Sequence, residues 1–242
     1  MSSPEVIVVG ALATKVSNIA PLRYTAEAIG STPESIHYVQ GGIANGEGGY
    51  NVASVSDQEA QITEIISANP EKGFIILSQS MGALAALNCV EKFGDLNVNN
   101  IAIAPPLLKP GEIVRSERIM TRSKQINGRL FLPSYSFALG DSGPGPKADN
   151  PMELEMLDNV FTEIDAATPD YWDRVQASNS SGRLHVIMPT EDWNQTALEV
   201  AQDLPAVTYL PGPHSLITDE PILRSNIATM VEIAHQMHKD RR

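Results

Sequence analysis

Phe74-Ile75-Ile76-Leu77-Ser78-Gln79-Ser80-Met81-Gly82-Ala83-Leu84-Ala85-Ala86-Leu87 is the stretch from which the fold is read. Four apolar residues in succession, Phe74 to Leu77, are too few for a helix and too uniformly hydrophobic for a half-exposed strand, so they describe a strand buried on both faces. From Gly82 onward to Phe93, small and straight-chain residues favour a closely packed helix. Ser80 therefore stands where a buried strand turns into a helix N-terminus. A tight turn of this kind lifts one side chain out of the fold and leaves backbone N–H groups facing its reaction partner. It tolerates little bulk two residues to either side, and the flanks here are Ser78 and Gly82. The alternative role for Ser80 is to cap the helix, since serine is a favoured N-cap residue.

The strand signature recurs on both sides of this stretch. Glu5 to Gly10 reads as a second doubly buried strand, and Ser35 to Gln40, Val98 to Ala104, Leu184 to Met188 and Val207 to Leu210 read as further strands. Helical patterns separate the early ones. Pro21 to Ile29 has proline in its first turn and Gly30 at its end, and Ser56-Asp57-Gln58-Glu59 reads as a capping box opening a helix that stops before Pro70. This alternation implies a parallel sheet with helices on both faces, with ligands bound at the carboxyl ends of the strands. A last amphipathic helix, Pro221 to His238, carries Ile222, Leu223, Ile227, Met230, Val231 and Ile233 at helical spacing. The glycine-rich segment from Gly41 to Gly49 has no G-x-G-x-x-G in register, and it reads as a flexible loop rather than a dinucleotide site.

Between Leu107 and Ser181 the alternation breaks. The chain thus divides into a core, residues 1–106 and 182–242, and an inserted region, residues 107–181. The insertion holds a helix-like basic stretch from Glu112 to Asn127, a Gly- and Pro-rich loop from Pro133 to Pro146, and two helices opened by Asn150-Pro151 and Thr168-Pro169. Arg115, Arg118 and Arg122 share one face of the basic stretch. Such a stripe could hold a substrate carboxylate, although it is more often a solvated face paired with nearby acids. Many of the chain's aromatics fall in the same interval, among them Phe131, Tyr135, Phe137, Phe161, Tyr171 and Trp172. They serve either to line an apolar pocket or to pack the insertion onto the body.

Composition excludes several classes of function. A chain of 242 residues with 42% hydrophobic and 19% charged side chains is an ordinary globular protein, long enough to bury a large core. No apolar run approaches the ~20 residues of a membrane span, and Met-Ser-Ser-Pro-Glu lacks the basic and apolar regions of a signal peptide, so a cytoplasmic location is expected. A net charge of -12 disfavours nucleic acid and anionic membranes as partners. The single cysteine, Cys89, has no partner for an internal disulfide and falls on the helix after Ser80, where an inert buried thiol is expected. His235 and His238, with no carboxylate partner beside them, are not read as a metal site.

A serine hydroxyl becomes a competent nucleophile when a base takes its proton, and the base works best when a carboxylate fixes its ring. The chain supplies Ser80, Asp192 and His214, each directly after an expected strand. Their order and the S-x-S-x-G turn resemble the α/β-hydrolase family, with Ser78 where the family's elbow usually carries glycine. The Pro211-Gly212-Pro213-His214-Ser215 segment before the last helix resembles that family's histidine loop. The resemblance implies the α/β-hydrolase fold, a mostly parallel central sheet with helices on both faces and a helical cap at residues 107–181. It further implies a serine esterase that needs no cofactor and acts on a small ester-like molecule. It makes Ser80 the nucleophile, His214 the base and Asp192 its partner, with Glu191, one residue earlier, in reserve. The oxyanion would be held by the N–H of Met81 and by that of Ala11 or Leu12, because Val8-Val9-Gly10-Ala11-Leu12 resembles the family's first loop with valine where many members have histidine. The reading from another class is a non-catalytic binder of the same fold that retains the three residues as a polar network.

Overall fold

The computed structural model describes residues 3–10, 20–30, 32–39, 42–44, 50–52, 54–107, 124–126, 129–131, 170–192 and 195–240. Six parallel strands form the central sheet: β1 (Glu5–Val9), β2 (Ile36–Val39), β5 (Phe74–Gln79), β6 (Val98–Ile103), β9 (Leu184–Pro189) and β10 (Val207–Leu210). Their spatial order is β10-β9-β6-β5-β1-β2. All six match the apolar runs of the sequence. β1, β5 and β6 are buried along their whole length, as expected for strands covered by helices on both faces.

Side-chain alternation on the strands divides the interior into two cores. On one face Ile7, Val9, Phe74, Ile76 and Val98 meet the helices α2 (Val55–Ala68), α3 (Gly82–Lys92), α4 (Tyr171–Ser180) and α5 (Gln195–Ala201). On the other, Val6, Val8, Ile75, Leu77 and Ile101 meet α1 (Ala20–Ile29) and α6 (Glu220–Lys239). From β1 the chain runs outward to β2, and it then returns to place β5 on the other side of β1. The carboxyl ends of β1 and β5 thus flank the point where strand order reverses, the place where sheets of this kind bind ligands.

Several local expectations are corrected. The capping box of α2 lies two residues earlier than Ser56. Ser54 Oγ accepts from the Asp57 N–H at 3.0 Å, while the Ser54 N–H donates to Asp57 Oδ2 at 3.2 Å. Within the glycine-rich segment, β3 (Gly42–Ala44) pairs antiparallel with β4 (Tyr50–Val52), because alternating Ile43, Tyr50 and Val52 supply strand formers on each side of a turn-rich sequence. The basic stretch is not helical to its end either. β7 (Lys124–Ile126) pairs antiparallel with β8 (Arg129–Phe131), and the two intervening residues are Asn127-Gly128, a strong hairpin signal. On α6 the buried stripe is Asn226, Met230, Ala234 and Met237, whereas Ile222 is exposed. Tyr171 and Trp172 are buried in the first core against α3. The basic stripe Arg115/Arg118/Arg122, the Pro133–Pro146 loop, the helix at Asn150-Pro151 and Tyr135, Phe137 and Phe161 lie outside the described residues.

The amino end of the sheet carries an ionic clasp. Glu5, 7% exposed, accepts from Lys72 Nζ and lies 2.6 Å from His37 Nε2. Burial alone raises its carboxyl, but hydrogen bonds and charges from Lys72 and His37 outweigh burial and hold it below its ordinary 4.5. Since the native value lies below the unfolded one, the clasp's stabilisation is full above the ordinary value and is lost as the pH falls through the native value. Replacing Glu5 by Gln is expected to cost about 1–2 kcal/mol at neutral pH, the half-exposed lysine keeping it at the lower end. In thermal unfolding the gap between Glu5→Gln and wild type should narrow as the pH drops below 4.5. A gap independent of pH would contradict the clasp.

Candidate active site

At the end of β5 the chain leaves the sheet through Ser80, whose φ of 50° lies in the left-handed region. For a residue with a Cβ this conformation costs on the order of 1–3 kcal/mol, so it persists only where surrounding structure enforces it. The enforcement is visible. The Ser80 N–H donates to the Ile103 carbonyl at 2.9 Å, closing the ladder to β6, while the Ser80 carbonyl accepts from Ala83 N–H at 3.1 Å, opening α3. Gly82 follows against the end of β1. A Cβ there would stand 2.5 Å from the Gly10 carbonyl oxygen and 3.0 Å from Val9 Cγ1, so only glycine seats α3 this close to the strand. Met81, between them, has its N–H in the first turn of α3, where helix donors lack intrahelical acceptors. Ser78, the residue in place of the usual glycine, is fully buried, and its hydroxyl donates to Asn100 Oδ1 on β6 at 2.8 Å. The substitution is thus absorbed as a cross-strand hydrogen bond.

Two neighbouring strand ends deliver the other residues. Beyond β9, the Thr190 and Glu191 N–H groups donate to the carbonyls of Leu210 and Gly212 at 2.8 and 2.9 Å, lashing the acid loop to the histidine loop. The chain then turns inward at Asp192, which is 2% exposed, while Glu191 is left in solvent. His214 Nδ1 lies 2.9 Å from Asp192 Oδ2. With the carboxylate able only to accept, Nδ1 carries the hydrogen. Beyond β10, Gly212 (φ 131°) and Leu216 (φ 55°) bend the loop, and the Leu216 N–H donates to the Pro213 carbonyl at 2.8 Å. Asn226 Nδ2 on α6 holds the Pro211 carbonyl at 2.9 Å, and Gln79 Nε2, next to Ser80, reaches the His214 carbonyl at 3.2 Å.

Ser80, Asp192 and His214 therefore stand at the carboxyl ends of three strands of one sheet. Asp192 and His214 are in direct contact, and the histidine loop is tied to the residue before Ser80. Ala11 and Leu12, considered as oxyanion donors, lie outside the described residues. Three other histidines have partners elsewhere: His37 with Glu5, His185 Nε2 with Thr208 Oγ1 at 2.8 Å, and His238 Nδ1 with Asn97 Nδ2 at 3.4 Å. Burial lowers the His185 imidazole below its ordinary value. Cys89 is fully buried, and desolvation, with Glu59 nearby, pushes its thiol up to about 12, which keeps it protonated and inert.

No family model matches the sequence, and no curated protein matches it. Solved structures match its shape along nearly the whole length. A monoacylglycerol lipase from Paleococcus ferrophilus superposes with a TM-score of 0.55 at 12% identity, covering 96% of this chain and 97% of the lipase. Est1E from Butyrivibrio proteoclasticus with ferulic acid bound gives 0.57 at 13% identity, covering 98% and 90%. The esterase domain of a Rhodothermus marinus protein gives 0.57 at 13%, covering 97% and 88%. This chain has the α/β-hydrolase fold. At such identities the likeness is one of architecture, and the α/β-hydrolase sheet here is the six-stranded parallel arrangement already described.

Within this α/β-hydrolase fold, sequence reasoning missed Gln79 and Asn226. Both are buried carboxamides, 4% and 1% exposed, that bind backbone carbonyls of the histidine loop. The signal for each was a polar residue interrupting an apolar periodicity. Gln79 continues the Ile75-Leu77 face of β5, and Asn226 stands four residues before Met230 on the buried stripe of α6. A buried amide demands a hydrogen-bond partner, and irregular loops are where unpaired carbonyls occur.

Proposed function

We propose that the chain is a serine hydrolase, most simply a carboxylesterase that cleaves a small, mostly apolar ester through an acyl-enzyme. The observations that support this reading are the hydrogen-bonded Asp192–His214 pair and a serine held left-handed at a strand-to-helix turn of the same sheet. Esterases and a lipase among proteins of the same shape support it. In the reaction, Ser80 Oγ attacks the ester carbonyl carbon as its proton passes to His214. With Nδ1 engaged by Asp192, the transfer runs through Nε2. Asp192 holds the ring in that tautomer and stabilises the imidazolium. The tetrahedral oxyanion is held by the Met81 N–H and by a second donor, Ala11, on the loop after β1.

Collapse of this intermediate breaks the carbonyl–oxygen bond of the ester. The leaving alkoxide takes the proton from Nε2 and departs as the alcohol, leaving the acyl group on Ser80. A water molecule, deprotonated by His214, then attacks the acyl carbon and releases the acid. The test is steady-state hydrolysis of p-nitrophenyl acetate and butyrate by the wild type and Ser80→Ala. Turnover by the wild type, lost in the variant, is the expected result. Equal rates in both would overturn the reading.

A further inference from the structure

We propose that Gln79 is a positioning residue, whose carboxamide sets the place of the histidine loop relative to the nucleophile; the inference rests on the serine-hydrolase reading. Three observations converge on it. Gln79 is adjacent in sequence to Ser80, so its backbone is fixed by the same strand-end hydrogen bonds that hold the serine. Its side chain is 4% exposed on the α6 face of β5, beneath the histidine loop. Its Nε2 lies 3.2 Å from the carbonyl of His214 itself, rather than from that of a neighbour.

A carbonyl oxygen can only accept, so the hydrogen bond runs from Gln79 to His214 and fixes which end of the carboxamide faces the loop. The bond joins the residue preceding the nucleophile to the backbone of the base, so it bears on the separation of Ser80 and His214 that governs proton transfer. The other tethers described on the loop act elsewhere. Asn226 holds Pro211, three residues upstream, and the Asp192 hydrogen bond holds the ring while leaving the backbone beneath it unspecified. Gln79 thus couples the elbow to the backbone of His214. Leu216, left-handed just beyond His214, shows the loop in a bent path that an additional anchor would maintain.

The test compares wild type, Gln79→Met and the double variant Gln79→Met/His214→Ala by the rate of labelling with a fluorophosphonate. Methionine keeps the unbranched shape and removes the donor. Displacing a base by a fraction of its reach slows reaction without altering substrate binding, so Gln79→Met should label about 10- to 100-fold more slowly. Its KM for p-nitrophenyl acetate should stay within about two-fold. In the His214→Ala background, where no base remains to be misplaced, the same change should slow labelling no further.

Labelling of Gln79→Met at the wild-type rate would overturn the inference and leave the triad standing. So would an equal slowing in both backgrounds, since that is what a general structural defect produces. Should Gln79→Met fail to fold, Gln79→Leu, apolar and without a donor, takes its place. If the wild type itself is not labelled, the hydrolase reading fails, and the downfield NMR resonance of His214 Nδ1–H decides the positioning role. A resonance shifted and exchange-broadened in Gln79→Met supports it, and an unchanged one removes it.

Discussion

His214→Ala is expected to hydrolyse p-nitrophenyl esters on the order of 10⁴-fold more slowly than wild type, with the loss falling on kcat. In the proposed mechanism the imidazole takes the Ser80 proton as the carbon–oxygen bond forms, and without it a neutral serine is a poor nucleophile. Stability has to be followed alongside. The His214 side chain is 12% exposed and contributes little core, but its removal leaves the Asp192 carboxylate, 1% exposed, without the imidazole that it faces. Breaking a buried pair from one side costs roughly 3–5 kcal/mol. His214→Gln, which can still donate to Asp192, separates the two effects, because it should recover stability and remain inactive. Ser80→Gly gives the complementary result: an equally dead enzyme with no loss in melting temperature, since glycine accepts φ 50° without the Cβ penalty. An active His214→Ala, with the protein folded, would remove His214 from the chemistry.

The second large effect belongs to Gly82. A Cβ at this position would lie 2.5 Å from the Gly10 oxygen and 3.2 Å from the Gly10 carbonyl carbon, both backbone atoms of the strand loop. Backbone cannot rotate aside as a side chain can, so Gly82→Val must push α3 away from β1. Overpacking of that kind costs about 1–3 kcal/mol. For a chain of this length each kcal/mol lowers the melting temperature by roughly 2–4 °C. The displaced element also carries Ser80 and the Met81 N–H, and a shift of about 1 Å costs about 10²-fold in rate. Thermal unfolding together with steady-state kinetics checks both. A Gly82→Val protein with wild-type stability and rate would mean that α3 does not seat on Gly10 as described.

Most of the sheet was legible because its inner strands, covered by helices on both faces, are written largely as apolar runs such as Phe74 to Leu77. The turn at Ser80 was legible for a related reason. Small residues at 78 and 82 are what a strand needs to turn at once into a helix. What was misread was set in part by local chemistry and in part by partners distant in sequence. Ser54 displaced Ser56 as the cap because Asp57, with its short carboxylate, reaches back to the Ser54 N–H. The hairpin through Lys124 was obscured by charges at helical spacing, although Asn127-Gly128 advertised a turn. On α6 Met230, Ile227, Val231 and Ile233 face the core as expected, but Asn226, polar by composition, is buried to hold the histidine loop while the apolar Ile222 is exposed. The same blindness hid Gln79, whose partner lies 135 residues away.

The measurement that tests the central claim most directly is labelling of the purified wild type with a fluorophosphonate, followed by intact mass and peptide mapping, with Ser80→Ala treated in parallel. An activated serine attacks phosphorus and expels fluoride, leaving one stable adduct. A single adduct on Ser80 and none on the variant is the expected result. Absence of label on folded wild-type protein, or the same label on Ser80→Ala, would contradict it.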